Sequence, residues 1–555
     1  MNLPEYLVPA ADGVPWLTLL VLSPLVGIAL IGLAWLMKLD ERTVKAGVLA
    51  WTGVPLLLAG LIWARFDPQA VASGQGVVQL VERVPWIQAV RVDYFLGVDG
   101  LSMPLVLLTA VMTPVAVVAS WRVSERVHAH LALLLLLEAA MLGYFVALDF
   151  FFFFIFWEFS LVPAFFLIQN WGREQRRYAA FKFFVYTMAG SLGMLLLFQV
   201  IYLAMRQAGY PTFDLIALGR LGQGLPVEGV TGNLRDILFA YLDQLGVTNV
   251  LGRYPLLYNS IAMWAIFIAF AIKLAVWPFH TWLPDAYAEG PTAASILLSA
   301  VMSKMGAYGM LRLLLPFTPD AAQYFAPALA ALAVVGVVAG AFGALGQVDG
   351  DVKRLIGYTS INHMGYVMLA IAGAAAAGEA GIDARTSAIN GALVQMVAHG
   401  LSTGALFYLA GALHERTGRW ELSGLGGLRT GAPTFAGVMG IALFANLGLP
   451  GLAGFVGEFF IFRGAWATLP FFTALAVVGL VVTALALLLM FQRIFLGPAV
   501  GMPRTITDLR PQEFWTMAPI LALSLAIGVY PGPLMALGNA AATQLVAIFT
   551  RVLAG

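Results

Sequence analysis

Four ionisable side chains interrupt the most apolar stretches of this sequence. Glu158 lies in FFFFIFWEFSLVP, Lys273 in IAFAIKLAVWPFHTWLPDA, Lys304 in LLSAVMSKMGAYGMLR and Glu458 in NLGLPGLAGFVGEFFIFRG. A charge at the centre of a hydrocarbon layer costs about 3 kcal/mol on insertion scales, so such a residue is a functional candidate by default. Lysine and arginine together number 30, only six of them lysine, yet both deeply placed cations are lysine. Arginine stays protonated, whereas a desolvated lysine can release its proton near neutral pH. Two acids and two amines so placed suit proton transfer. A structural ion pair, for example Glu158 with Lys273, is the plainer account of any single pair. It accounts less well for four groups spread over two parts of the chain.

Histidines extend the series. His363 follows Ser360 by three in GYTSINHMGYVML, and His399 has Gln395 four before it and Ser402 and Thr403 three and four after it. That spacing puts the polar groups around His399 on one helical face. A neutral imidazole with hydroxyl and amide neighbours can pass protons, so His363 and His399 are relay candidates between Lys304 and Glu458. A lone buried histidine is more often a satisfied core residue; two polar-faced ones in neighbouring segments shift the balance. His128, His130 and His414 fall near segment ends and have no such claim, and Glu138, deeper than its neighbours require, has no assigned role.

The elements that must position these groups are membrane helices. Apolar residues make up 61% of the 555 and charged ones only 11%, too little charge to keep a soluble surface of this size wet. Apolar runs of about 20 residues recur throughout, each long enough to cross a hydrocarbon core of about 30 Å. Lipid offers no hydrogen bonds, so these runs must be helices. Fourteen spans are expected, near 16–37, 45–65, 97–121, 128–148, 149–170, 181–205, 258–282, 291–315, 325–346, 354–376, 386–413, 434–463, 470–496 and 514–531. The longer connections are 66–96 and 206–257, the second containing GNLRDILFAYLDQLG, a candidate amphipathic helix at the interface. Residues 532–555, broken by Pro531 and Pro533, read as a tail outside the membrane. The N-terminus lacks the basic region of a signal peptide, so the first span is expected to act as an uncleaved anchor.

Two spans carry helix breakers beside an ionisable group. Pro278 follows Lys273 by five residues, with Pro284 soon after; Gly448, Pro450, Gly451 and Gly454 precede Glu458. A break at mid-membrane exposes backbone groups around an ion site. The breaks are five spans apart, as expected for inverted five-helix repeats. The implied division is 1–127 for spans one to three, 128–315 for the first repeat, 325–497 for the second, and 498–555 for span fourteen and the tail.

Charge fixes an orientation. Seventeen basic residues fall on one set of alternate loops, among them Lys38, Arg122, Arg173, Arg354, Arg416 and Arg504, against eleven on the other, mostly in or beside the long loops. The positive-inside rule then places both termini outside the cell membrane. A net charge of +1 excludes a nucleic-acid partner, and the absence of cysteine excludes disulfides and thiolate-held iron–sulfur clusters on this chain.

At these residues the sequence resembles the antiporter-like membrane subunits of complex I, most closely the M-chain branch (mitochondrial chain 4). GVDGLSMPLVLLT from residue 97, WEFSLVPAFFLIQNWG, KLAVWPFHTWLPDAYAEGPTAASILLSAVMSKMGAYGMLR and LPGLAGFVGEF carry the likeness, which covers nearly the whole chain and departs from the common pattern in the 206–257 insertion. A glutamate rather than a lysine at 458 follows the M branch. The resemblance implies an all-α membrane protein of about 14 transmembrane helices, with two inverted five-helix repeats and two broken helices. It implies a Glu158–Lys273 pair, a central Lys304 and a terminal Glu458, with His363 and His399 between and helix breaks at Pro278 and Pro450. Protonating Glu158, or moving it away from Lys273, removes a favourable neighbour and pushes the lysine's proton toward Lys304. No cofactor is expected on this chain; NADH, FMN, iron–sulfur clusters and quinone would bind partner subunits. The expected setting is a bacterial-type inner membrane, with sister antiporter-like chains and peripheral subunits as partners. Alternatives sharing the fold are a multi-subunit Na+/H+ (Mrp-type) antiporter and a membrane-bound hydrogenase or ferredoxin-linked complex. A purely structural scaffold would need no titratable groups at mid-membrane.

Overall fold

The computed structural model describes residues 4–72, 76–378, 380–498 and 506–552; Arg504 and residues 553–555 lie outside them. Among the described residues, twelve helical stretches are long and apolar enough to cross a membrane. Eleven coincide with expected spans. The other three expected spans are present as helices too, and each falls short for a physical reason. Met103–Ala119 is only 17 residues long, because Val92–Val98 before it is a strand. Val352–Ala375 is diluted by Lys353, Arg354, Ser360, Asn362 and His363. The twelfth span is broken into Pro433–Asn446 and Ala453–Thr468.

The twelfth stretch by this measure is the one expected to be a tail. Gly532–Val552 is a helix. Pro533 sits in its first turn, where the amide proton has no partner to lose, so the prolines start this helix instead of breaking it. Its contacts lie across one end of the bundle. Asn390 Nδ2 donates to Asn539 Oδ1 at 2.7 Å, Gln544 Nε2 donates to the Val71 carbonyl at 2.7 Å, and Gly100 is pressed against Leu537 and Ala541.

That end also carries a small sheet the sequence did not signal. Leu7–Pro9 pairs in parallel with Val78–Ile87, which pairs antiparallel with Val92–Val98. The 206–257 connection folds into Leu215–Gly222, Leu234–Gln244 and Val247–Leu251, and the middle helix buries Leu234 and Leu238, as an amphipathic segment should.

Both expected breaks are present. The seventh span runs Pro255–Leu274, leaves the helix at Ala275 and resumes at Trp282–Glu289. Trp282 Nε1 satisfies one freed carbonyl, that of Ile272, at 2.8 Å. The eighth span, from Thr292 to Phe317, contains two wider π turns, Leu298–Met302 and Met310–Leu314. Gly306 lets this span close on the seventh: a β-carbon there would press on the Phe270 carbonyl and Leu274. The eleventh span, Ile382–Thr417, is 36 residues long, about 54 Å, and overshoots the hydrocarbon layer.

Charged ties join the parts at the opposite face. Asp285 on the resumed half of the seventh span bridges Lys182 at 2.8 Å and Arg354 at 3.0 Å, and Arg173 pairs with Asp351 at 2.6 Å. Near the sheet-bearing face, fully buried Arg385 closes the end of the tenth span by donating to the carbonyls of Ala374 at 2.8 Å, Ala376 at 2.6 Å and Gly378 at 3.2 Å. Truncating it strands buried carbonyls, at about 1–3 kcal/mol each. Arg385→Met is therefore expected to lower the thermal midpoint of the detergent-solubilised assembly by several degrees. Arg385→Lys, with a point charge in place of a planar fork, should fall between. Unchanged melting of both variants would show that the cap contributes nothing.

Candidate proton site

Lys273 stands one residue before the first break and is fully buried. Its Nζ donates to the Trp157 carbonyl at 3.0 Å and to Ser160 Oγ at 2.9 Å, and lies 3.8 Å from the Trp157 ring centroid. The acceptors are free because the fifth span is itself interrupted at Ser160, between Phe150–Phe159 and Leu161–Trp171. Trp157 is fixed in turn by its Nε1 donating to Ser191 Oγ at 2.9 Å.

Glu158 belongs to the same turn, but among the described residues it forms no ion pair within 4 Å, and its Oε1 is buried without a partner. The structure therefore holds Glu158 and Lys273 near one another but apart. A carbonyl, a hydroxyl and an indole face carry the ammonium instead.

Lys304 is the centre of the second cluster. Its Nζ reaches the Ser299 carbonyl at 2.5 Å, His399 Nδ1 at 2.6 Å and Ser303 Oγ at 3.3 Å. Ser299 lies within the first π turn, where the register of backbone bonding changes and a carbonyl is left for the side chain. No carboxylate opposes this buried amine among the described residues.

From His399 the polar line continues through the tenth, eleventh and twelfth spans. The rings of His399 and His363 are 5.3 Å apart between centroids. His363 Nδ1 faces Gln395 Nε2 at 3.2 Å and Glu458 Oε1 at 3.4 Å, while its Nε2 faces Asn446 Oδ1 at 3.2 Å. Asn446 Nδ2 donates onward to Ser402 Oγ at 3.1 Å and Thr403 Oγ1 at 3.2 Å. His363, His399 and Glu458 are all at most 4% exposed.

The hydrogen-bond directions constrain the chemistry. An ammonium on Lys304 can only donate, so His399 Nδ1 accepts and the ring carries its proton on Nε2, which has no protein partner. If Asn446 Oδ1 accepts from His363 Nε2, then His363 Nδ1 accepts from Gln395 Nε2 and faces Glu458 Oε1, a contact that becomes a hydrogen bond when either group takes up a proton. The arrangement can take a proton from an amine, pass it through two imidazoles and hold it at a carboxylate.

The structure thus brings Lys304, His399, His363 and Glu458 into one line and sets Lys273 beside Glu158 on another. Pro278 and Pro450 both lie in the breaks. Sequence reasoning missed Ser160, Ser191 and Asn446. Asn446 had a legible signal, as the last polar residue before GLPG in the position that Lys273 holds before its own break. Ser160 and Ser191 had none, since an isolated serine in an apolar helix is commonplace. His128, His130 and His414 stay outside both clusters, and Glu138 is fully buried with neither carboxylate oxygen partnered. Among the described residues no group of histidine, aspartate or glutamate side chains is placed to hold a metal ion.

Known proteins share this plan. The family model described as NADH:quinone oxidoreductase/Mrp antiporter, TM, matches residues 147–483, which include Glu158, Lys273, Lys304, His363, His399 and Glu458. NAD(P)H-quinone oxidoreductase chain 4 2 of Thermosynechococcus vestitus is 36% identical over 527 residues, covering 93% of this chain and 89% of the relative. NADH-quinone oxidoreductase subunit M of Rhodobacter capsulatus is 37% identical over 498 residues, covering 88% of each. A chain of respiratory complex I from Thermus thermophilus with bound NADH superposes with a TM-score of 0.77 at 28% identity, covering 96% of this chain and 99% of that one. A chain of the Mrp complex from Dietzia sp. DQ12-45-1b shares the fold, with a TM-score of 0.73 at 19% identity, covering 97% of this chain and 100% of its own. With its fold, its broken helices and its full-length relatives in agreement, this chain belongs to the NADH:quinone oxidoreductase/Mrp antiporter membrane family, in the branch of subunit M and chain 4.

Proposed function

We propose that this chain is the proton-translocating membrane subunit of a redox-driven NAD(P)H:quinone oxidoreductase, and that protons move through Glu158, Lys273, Lys304, His399, His363 and Glu458. The observation that carries this reading is the buried line from the Lys304 amine to the Glu458 carboxylate, with contacts of 2.6 Å and 3.4 Å at its two ends.

The chemistry follows from the groups. Glu158 approaching Lys273 stabilises the ammonium; Glu158 held away leaves it to weaker, uncharged acceptors and favours release of its proton toward Lys304. Lys304 delivers to His399 Nδ1, and His399 releases from Nε2 toward His363, with ordered water or a ring rotation spanning the gap. His363 and Glu458 then share the proton until it leaves past the second break. Electron transfer from nicotinamide to quinone, with its flavin and iron–sulfur centres, belongs to partner subunits. Its energy reaches this chain as a change in the charge or position of Glu158.

We place the sheet-bearing face outside a bacterial-type cytoplasmic membrane, because the loops that the sequence assigns to the other side carry 17 of the 30 basic residues. Both chain ends pack at that outer face, the N-terminal strand on Val78 and the C-terminal helix on Val71. We also read 128–315 and 325–497 as inverted repeats. In support, Asp149 and Asp351 each cap the second helix of their unit, accepting from Phe151 N at 2.8 Å and Lys353 N at 2.8 Å.

Purification of the tagged chain in mild detergent tests the assignment. Co-purifying NADH- and quinone-binding subunits with inhibitor-sensitive activity are expected. Small membrane partners alone, with sodium-dependent exchange, would move the reading to an antiporter. In the whole complex, Lys273→Ala and Glu158→Gln are expected to assemble and to lose NADH-driven proton pumping by a factor of about 100, the usual contribution of a positioned proton-transfer group. Assembly with full pumping stoichiometry would sink the route. Gly448 has a φ of +78°, and a β-carbon there would meet the Glu458 carboxylate. Gly448→Ala should therefore depress pumping in the same direction as Glu458→Gln, and a silent Gly448→Ala would argue against Glu458 as the terminal acceptor.

A further inference from the structure

Two of the sequence motifs, GVDG and AYGMLR, meet in the structure at a place the proton route does not use. Asp99, in the turn before the third span, pairs with Arg312 of the eighth span at 2.5 Å, and the two side chains are only 4% and 8% exposed. Asp99 Oδ1 accepts from Leu101 N and Ser102 N, both at 3.0 Å, so the carboxylate is anchored in its own turn. Arg312 Nε donates to Tyr308 Oη at 3.1 Å, and the Tyr308 hydroxyl donates to the Phe145 carbonyl at 3.1 Å.

The pair is the floor of a cavity of about 380 Å³ that opens at the sheet-bearing face. Tyr6, Arg220, Gln223 and Gln544 also line it, and the C-terminal helix forms one wall. Lys304, Tyr308 and Arg312 follow one another at four-residue spacing on the same helix, so Lys304 lies only about 12 Å below the cavity floor along the helix axis.

We infer that the Asp99–Arg312 pair is a proton seal, closing a direct path between Lys304 and the outer cavity. The inference rests on Lys304 being a proton carrier. An open cavity two helical turns from such a carrier would short-circuit the gradient unless something stopped protons there. Arginine cannot give up its proton, so it cannot hand one on, and its fixed charge opposes an incoming one. Behind it, the Tyr308 hydroxyl is committed to a backbone carbonyl, which cannot relay. Asp99 holds the guanidinium in the gap.

A seal and a purely structural tie respond differently to removal of each partner. Arg312→Met removes the barrier charge and leaves a carboxylate; Asp99→Asn leaves the barrier charge in place. In proteoliposomes containing the whole complex, the passive decay of an imposed pH gradient is expected to quicken with Arg312→Met, on the order of tenfold for the loss of one buried charge. Asp99→Asn should stay as tight as the parent. Adding Lys304→Ala to Arg312→Met should abolish the leak. Should Arg312→Met not assemble, Arg312→Lys keeps the tie to Asp99 but introduces a group that can deprotonate, and it should leak as well. Tight liposomes with both Arg312 variants, or equal effects of Asp99→Asn and Arg312→Met, would overturn the seal. These arms need no turnover, so they stand apart from the Lys273 and Glu158 variants, whose failure would instead overturn the route.

Discussion

Lipid supplies no hydrogen bonds, and that constraint shapes every part of this molecule that is not a plain apolar helix. A regular helix consumes its own backbone groups, so it has nothing to offer a buried ammonium. Three buried cations sit where a helix departs from regularity. Lys273 takes the Trp157 carbonyl and the Ser160 hydroxyl at the interruption of the fifth span. Lys304 takes the Ser299 carbonyl from a π turn. Arg385 takes the carbonyls left over at the end of the tenth span. The irregularities are the means by which charge is tolerated at depth, and removing them would leave the charges without partners.

The same constraint explains why the scaffold is tied at its faces. Within the layer, packing between apolar helices is weakly directional, and small residues such as Gly306 set how closely helices approach. At the basic-rich face, where water and charge are available, Asp285 joins the sixth, seventh and tenth spans through Lys182 and Arg354, and Arg173 reaches Asp351 across the boundary between the two repeats. Asp508, in the connection before Pro511–Val529, is pushed up by burial, the largest single effect, yet the combined hydrogen bonds from Thr434, Leu509 and Phe435 hold it below the usual carboxylate range. Its hydrogen bonds to Thr434 N at 2.9 Å and Phe435 N at 2.8 Å cap the start of the broken twelfth span. Both halves of the bundle are thus clamped at one end.

Much of this was legible in the sequence, because the bilayer makes long apolar runs and buried charges conspicuous. The spans, both breaks and the placing of His363 and His399 between Lys304 and Glu458 follow from hydropathy and from polar groups out of place, whereas the order in which the two histidines are met comes from the packing. The sheet was not legible: its strands are short, and VQLVERVPWI carries charge and proline that weaken an alternating pattern. The C-terminal helix is hidden by Pro531 and Pro533, which look like breakers in the sequence although a proline in a first turn costs nothing. The separation of Glu158 from Lys273 lies beyond any sequence argument, since it depends on which of several acceptors the ammonium adopts. The second acceptor set, Ser160 and the Trp157 carbonyl, was invisible because backbone carbonyls have no letter in the sequence.

The two broken spans differ at one position in a way that bears on direction. The seventh span ends its first half one residue past Lys273, and the twelfth ends its first half on Asn446. An amide thus stands one residue nearer its break than the cation of the seventh span stands to its own. A second lysine there would place a positive charge beside His363 and oppose a proton arriving from His399. Asn446 instead accepts from or donates to its neighbours without net charge, and the nearest charged group to His363 becomes Glu458 at 3.4 Å. Along the proposed route an excess proton has two lysines behind it and a carboxylate ahead. The order of charges favours movement from the first repeat to the second, and Glu158, at the far end beside Lys273, is the one group that can reverse that preference by drawing the charge back.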